Sequence, residues 1–284
     1  METTKVLITG ATGLLGNPTV STFRLQRHMD TLGLGHHELD ITDADHVKAR
    51  FETFRPDLVV NCAAYTKVDD CEANETHARR VNGEGAGNVA RAAADCGARL
   101  IHLSTDYVFD GEATKPYQEE YPPSDPHKLS AYGRSKLLGE QLVRQHYPAA
   151  IIVRSSWLFG PDGPCFPRTI LERARNGDSL RVVNDQTGSP TYAPDLAQAL
   201  CELAQHDASG IFHITNAGQC SWYDFACELL KRARLDVPIE PVSTDAFPRP
   251  AKRPMFSVLG NRKYQEATGM VLCRWNETLT KYLS

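Results

Sequence analysis

A doubly wound parallel α/β sheet with a smaller α/β region behind it is the fold class that this sequence predicts, on three observations. A glycine turn, Gly10-Ala11-Thr12-Gly13-Leu14-Leu15-Gly16, directly follows the first apolar run. Short buried-type runs then alternate with amphipathic helical stretches as far as Ser155, the pattern of successive βα units. Beyond Ser155 the alternation becomes irregular. The chain therefore divides into residues 1–155, a nucleotide-binding unit, and residues 156–284, a substrate-binding region that returns in part to the first sheet.

Lys5 to Thr9 reads as a short buried strand, and the turn after it carries Gly10, Gly13 and Gly16 at i, i+3 and i+6. Glycines at a strand-to-helix junction permit a tight turn, close approach of backbone to a pyrophosphate, and close packing of helix on sheet. The free N–H groups of the following helix favour negative charge, and Pro18 suits its first turn. This is the Rossmann arrangement. Leu32 to Leu34 is a second strand, followed by Gly35-His36-His37-Glu38. An Asp there would grip the ribose 2′-OH of NAD, and an Arg would accommodate the 2′-phosphate of NADP; neither is present, so NADH and NADPH both stay open as cofactor. Asp40 and Ile41 fit the adenine end. Thr42-Asp43-Ala44-Asp45 reads as a Thr-x-x-acid cap on a helix with Val47, Phe51 and Phe54 on one face and Pro56 beyond its end.

Leu58 to Ala64 is a third strand whose small terminal residues, Ala63 and Ala64, leave room for a cofactor. Asn74 to Cys96 reads as one helix closed by Gly97, with Asn82 on its solvated side. Arg99 to Ser104 is a fourth strand running into Thr105 and Asp106. The loop from Glu112 to Leu129 is acidic and proline-rich, and its length suggests a mobile segment or lid. A helix from about Ser130 to Arg144 and a strand from Ala150 to Ser155 close the first half. Afterwards come helices at 166–176, 194–206 and 221–234 and strands at 180–183 and 211–215. Ser221 caps the last helix, and Trp222, Phe225, Ala226, Leu229 and Leu230 form its core face. Residues 238–254 are extended and proline-rich, and Arg249, Lys252 and Arg253 there suit either a diphosphate or solvent.

The 284 residues and net charge of −4 provide no electrostatic footprint for nucleic acid or an anionic membrane. No apolar stretch reaches the length of a membrane span, and Met1 to Lys5 lack the charged-then-apolar build expected of a signal peptide. The eight cysteines are scattered without a Cys-x-x-Cys pair, which suggests neither a structural metal nor a disulfide framework. A soluble, reduced, cytoplasmic protein, monomeric or homodimeric, is the expectation.

Tyr132 and Lys136 stand four apart on one face of their helix. A phenol of pKa ~10 is a poor proton donor or acceptor at neutral pH, and an ammonium beside it favours the phenolate. The Thr105 hydroxyl at the end of the preceding strand completes what a carbonyl-binding site needs. These residues, with Asn61-Cys62-Ala63-Ala64-Tyr65-Thr66-Lys67-Val68-Asp69 and Ser104-Thr105-Asp106-Tyr107-Val108-Phe109-Asp110-Gly111, resemble the extended short-chain dehydrogenase/reductases. Within them the chain is similar to the dTDP-4-dehydrorhamnose reductases, through Arg154-Ser155-Ser156-Trp157-Leu158-Phe159-Gly160, Asn184 to Thr191 and Arg249 to Pro254.

The resemblance implies NAD(P)H-dependent reduction of the 4-keto group of a nucleotide-linked 6-deoxysugar. Tyr132, Lys136 and Thr105 match its catalytic positions, and Thr105, Asp106 and Trp157 its substrate contacts. Gly10, Gly13, Leu14, Leu15, Gly16, Asp40, Ile41, Ala63, Ala64, Tyr65 and Thr66, with Tyr132 and Lys136, match its cofactor surface. Two other outcomes fit the same residues: a reductase or epimerase/reductase of another 4-keto sugar nucleotide, and a non-catalytic NADP-binding regulatory subunit.

Overall fold

The computed structural model describes residues 3–284. Strand β1 (Thr4–Thr9) passes through the glycine turn into α1 (Gly16–Arg24), followed by β2 (Met29–Leu34), α2 (Ala44–Phe54) and β3 (Leu58–Asn61). Helices α3 (Val68–Ala73) and α4 (Glu75–Ala78), a π-helical stretch at Arg79–Gly85, and α5 (Ala86–Cys96) come next. Strand β4 (Arg99–Thr105), α6 (Ala131–His146) and β5 (Ile151–Ser155) complete the first half. The second half runs β6 (Leu158–Phe159), α7 (Phe166–Arg175), β7 (Leu180–Val183), β8 (Thr187–Gly188), β9 (Thr191–Tyr192), α8 (Ala193–Leu203) and β10 (Gly210–His213). It ends with β11 (Cys220–Ser221), α9 (Trp222–Ala233), β12 (Ile239–Val242), α10 (Arg262–Thr268) and α11 (Trp275–Leu283).

Six strands form the main sheet in the order β10-β5-β4-β3-β1-β2, and every pairing in it is parallel. Both faces are covered, so consecutive residues of each inner strand must be apolar. Val6, Ile8, Val60 and Val153 pack on one side with α1 and α8, while Leu7, Val59 and Ile152 pack on the other with α2 and α5. Helix α8 belongs to the second half of the chain, so the second half buries one face of the first. A separate core of Phe159, Leu171, Leu180, Phe225, Leu229 and Leu279 holds the smaller region together, where β7 pairs with β12 and β8 with β11. The chain leaves β1 for β2 on one flank and returns to β3 on the other. That reversal opens a crevice at the carboxyl ends of β1 and β3.

Four local expectations change. Strand β2 begins at Met29, because Thr4 to Thr9 pairs with it along its whole length despite its polar Asp30 and Thr31. Asp43, not Thr42, caps α2 and accepts a bond from His46 N at 3.0 Å; Thr42 N is already bound to Asp40 Oδ1 at 2.9 Å. The helix expected over 74–96 is interrupted by the π turn, and Asn82 within it is buried rather than solvated. Its amide closes on the backbone of Tyr65 through bonds of 2.7 and 3.0 Å and donates to Ser135 Oγ at 2.9 Å. The loop after Glu112 is tied down: Tyr117 is buried, stacks on Phe109 at 4.1 Å, and exchanges backbone bonds with Val258 and Gly260. No helix among the described residues is long and apolar enough to cross a membrane.

Candidate active site

Helix α6 starts at Ser130, whose hydroxyl accepts from Gly133 N at 3.2 Å, satisfying one of the free donors of the first turn. Gly133 lies against the Tyr107 carbonyl, where any Cβ would collide. The helix start is thereby pressed onto the loop leaving β4, and Tyr132 comes to rest beside Tyr107 with ring centroids 5.3 Å apart in an edge-to-face pair. Tyr132, Tyr107 and Tyr65 share one small apolar cluster. Burial drives the Tyr132 phenol pKa well above its ordinary value; the Thr105 hydroxyl opposes this and the Asp106 charge adds to it. Its proton is held firmly at neutral pH.

One turn further on, Lys136 is buried and donates to the Leu103 carbonyl at 2.6 Å. Burial lowers its pKa to about 8, against the opposing pull of Glu140 and Cys62. The ammonium is thus anchored on strand β4, and burial and Thr105 outrank it as influences on the Tyr132 proton. Two of its N–H donors remain for a ligand. Glu140, another turn along, accepts Ser104 Oγ at 2.6 Å and a two-pronged bond from Arg154 at 2.8 and 2.7 Å, all inside the protein. Adjacent residues of β4 therefore hold two successive turns of α6.

Thr105 Oγ1 donates to Asp106 Oδ1 at 3.0 Å and accepts from Tyr107 N at 3.2 Å. Asp106 is buried, and its Oδ2 has no hydrogen-bond partner. Burial raises its pKa to about 6 in spite of Ser257, Thr105 and backbone donors. A dry carboxylate oxygen without a donor is costly; the Ser257 hydroxyl, likewise buried without a partner, lies close enough to oppose the rise.

Two cavities adjoin the cluster around Tyr132, with Tyr65 lining one and Tyr107 the other, while Tyr132, Lys136, Thr105 and Asp106 line neither. The smaller, about 300 Å³, lies at the crevice between β1 and β3 and is lined by Gly10, Gly13, Asp40, Ile41, Ala63, Ala64 and Tyr65 among others. Gly10 has φ +65°, and a Cβ on it would come 2.7 Å from Ala63 N. Only a glycine keeps this crevice open. Thr9, Asn61 and His102 fasten the strand ends beneath it, with Thr9 Oγ1 donating to Asn61 Oδ1 at 2.6 Å and Asn61 Nδ2 lying 3.0 Å from His102 Nδ1. Leu14, Leu15, Gly16 and Thr66 do not line this cleft. Leu15 is turned into the core, Leu14 packs beside Gly160 and Gly163, and Gly16 opens α1.

The larger cavity, about 700 Å³, is walled mainly by the second half, with Tyr107, Phe166, Gln186, Trp222, Arg249 and Lys252 on its surface. Trp157 is not on that wall. Its ring lies flat against Trp222 at 3.5 Å, with its backbone at φ +47°, a strained conformation for a bulky residue. Trp222, expected in the core, is the indole that lines the cavity, and its Nε1 donates to Gln186 Oε1 at 3.2 Å. Of the three tail cations, Arg253 is clasped by Asp69 from the first half, with a second bond of 2.9 Å. It is neither solvated nor free.

The family model of the RmlD substrate binding domain matches residues 4–284. The chain belongs to this RmlD family. Its relatives in the family include the spore coat polysaccharide biosynthesis protein SpsK of Bacillus subtilis, 41% identical over 99% of this chain and 97% of that protein. A crystal structure of a dTDP-4-dehydrorhamnose reductase from Clostridium acetobutylicum has TM-score 0.94 and 41% identity, covering 98% of each chain. One from Bacillus anthracis in complex with NADP has TM-score 0.93 and 35% identity, covering 99% of this chain and 98% of that one. Against this RmlD frame, the residues that sequence reasoning passed over are Tyr107, Trp222, Gln186 and the Asp69–Arg253 clasp. Tyr107 and Asp69 lie inside the quoted motifs, but nothing local signals that each meets a partner far along the chain.

Proposed function

We propose that this chain reduces the 4-keto group of a nucleotide-linked 6-deoxysugar, foremost dTDP-4-dehydro-L-rhamnose to dTDP-L-rhamnose. The observation that carries the reading is the cluster around Tyr132, packed by Tyr65, which lines one cavity, and by Tyr107, which lines the other and meets the Tyr132 ring edge-on at 5.3 Å. Residues 1–155 hold a nicotinamide dinucleotide in the smaller cleft, where the glycine turn leaves room for it, and residues 156–284 wall the sugar-nucleotide site. The bound dinucleotide supplies the hydride. Tyr132 gives its proton to the developing alkoxide, a far stronger base than a phenolate, so a raised phenol pKa does not impede transfer. On substrate binding Thr105 turns its single hydroxyl proton from Asp106 Oδ1 to the same oxygen, Asp106 Oδ2 accepts a sugar hydroxyl, and Lys136 uses its two remaining donors on the dinucleotide ribose.

Oxidation of NADPH and NADH against a panel of 4-keto-6-deoxy sugar nucleotides, with chromatography of the products, tests this directly. Turnover should be fastest with dTDP-4-dehydro-L-rhamnose. A pure, folded protein inert towards every sugar in the panel would sink the reading.

Two further outcomes are expected. The pH profile of kcat/KM has an acid limb near 6 and an alkaline limb near 8, because Asp106 must be ionised to accept and Lys136 charged to donate. Asp106→Asn abolishes the acid limb and leaves the alkaline one; a profile unchanged by that substitution removes Asp106 from substrate binding. Separately, a Cβ at position 188 would run into the Trp157 ring. Gly188→Ala should displace the indole pair and lower kcat/KM for the sugar about ten- to a hundredfold, with dinucleotide affinity unchanged by titration.

A further inference from the structure

We propose that Ser257 is a positioning residue for the reduction: its hydroxyl takes over as donor to the Asp106 carboxylate when Thr105 turns its proton to the substrate oxygen. The proposal deepens the reductase reading above and rests on it. The Thr105 hydroxyl carries a single proton, which in this structure goes to Asp106 Oδ1 at 3.0 Å. It cannot serve Asp106 and the substrate oxygen together. Its turn leaves a buried carboxylate short of a donor just when that carboxylate must stay ionised, and an unmet buried charge is costly.

Ser257 comes from the second half of the chain and is 1% exposed, and its Oγ has no hydrogen-bond partner. Asp106 Oδ2 is in the same condition. The hydroxyl stands near enough to hold the Asp106 pKa down, although no bond is closed between them. Two unmatched polar atoms therefore lie side by side inside the protein, one able to donate and the other, when ionised, only to accept. The backbone around Ser257 is fixed from both directions. Ser257 N donates to the Thr187 carbonyl at 2.8 Å, and the Val258 carbonyl accepts from Tyr117 N at 2.9 Å. Upstream, a Cβ on Gly111 would come 2.6 Å from Met255 N, and Arg253 is clasped by Asp69. The tail lies tight over the loop leaving β4, so the adjustable part is the serine side chain, which turns about one bond. The titratable groups facing Asp106 are the phenols of Tyr132, on α6, and Tyr107, on its own turn. Burial keeps both protonated, and the Arg253 guanidinium beyond Tyr107 is matched by Asp69.

The test is a set of kcat/KM pH profiles with NADPH and the 4-keto sugar nucleotide. They are recorded for the full-length parent, Ser257→Ala, Ser257→Thr, Thr105→Val and the double variant Thr105→Val with Ser257→Ala. Ser257→Ala should lower the pH-independent kcat/KM about tenfold, the scale of one hydrogen bond to a charged group. It should also move the acid limb from near 6 upward by about one pH unit, because a donor that favours the ionised carboxyl is gone. Dinucleotide affinity and melting temperature should stay at the parental values. Ser257→Thr keeps a hydroxyl and should restore both kinetic quantities. In Thr105→Val there is no proton to turn, so Ser257 serves Asp106 throughout, and adding Ser257→Ala should lower the pH-independent kcat/KM by less than about twofold. Parental kcat/KM and an unmoved acid limb in Ser257→Ala overturn the proposal, as does a loss that stays about tenfold in the Thr105→Val background. Either result, with an active parent, leaves the reductase reading in place. A parent inert towards every sugar in the panel removes both.

Discussion

Tyr132→Phe lowers turnover by about a thousandfold, within the range set by loss of a positioned general acid, while dinucleotide affinity stays at the parental value. The substitution keeps the ring that packs edge-on to Tyr107 and removes only the hydroxyl, so the helix start and the cluster around it are retained. Thr105 and Lys136 keep their own partners, Asp106 and the Leu103 carbonyl. The residual activity should still show the alkaline limb near 8, since that limb belongs to Lys136 and the phenol titrates far higher. Stopped-flow oxidation of NADPH with the sugar nucleotide, beside a fluorescence titration of the dinucleotide alone, measures both quantities. Near-parental turnover in this variant would falsify the assignment of the proton donor.

Glu140→Gln carries the largest expected loss of stability. Glu140 and Arg154 are each fully enclosed, joined by two hydrogen bonds, with Ser104 on the same carboxylate. Neutralising one partner strands a buried guanidinium, and such losses run to about 3–5 kcal/mol. The effect on chemistry is separate. Glu140 is a charge that opposes the fall in the Lys136 pKa, so its removal moves the alkaline limb to lower pH. Glu140→Leu with Arg154→Met leaves no stranded charge and should recover much of the stability without restoring the limb. Chemical denaturation and a pH–rate profile on the three variants separate the roles. A stability loss below about 1 kcal/mol in the single variant, the scale of an exposed pair, would mean that the pair is not dry.

Much of this arrangement is readable from local pattern. The β1 turn, the Ser130 helix start and the spacing of Tyr132 and Lys136 depend on residues close in sequence, and α9 has its Ser221 cap with Asp224 bonding back to it. What is not readable depends on partners far away. Asn82 looks like a solvated helix position until the π turn swings it onto Tyr65 and Ser135. Trp222 has core periodicity, yet it faces a cavity because Trp157 already stands behind it. The segment after Glu112 has the composition of a mobile loop, yet Tyr117 anchors it to Phe109 and the backbone around Leu259, and Glu119 and Ser124 bond to Lys263 N and the Val108 carbonyl. Arg253 reads as a free cation only until Asp69 is brought to it. Propensity and periodicity describe an element's own surface and leave open what arrives to cover it.

The pairing of β10 with β5 bears on how the chain folds as it is made. Strand β5 is buried along its whole length, and one of its edges is covered only when Gly210 to His213 pairs with Ile151 to Arg154. A growing chain that has just completed β5 displays an open apolar edge, and the α8 side of Ile8 and Val60 is likewise bare. Such an edge templates association with another chain, and long-range parallel pairing closes slowly. Release from the ribosome before His213 emerges therefore leaves an aggregation-prone fragment, and the nascent chain should depend on a holding chaperone until β10 docks.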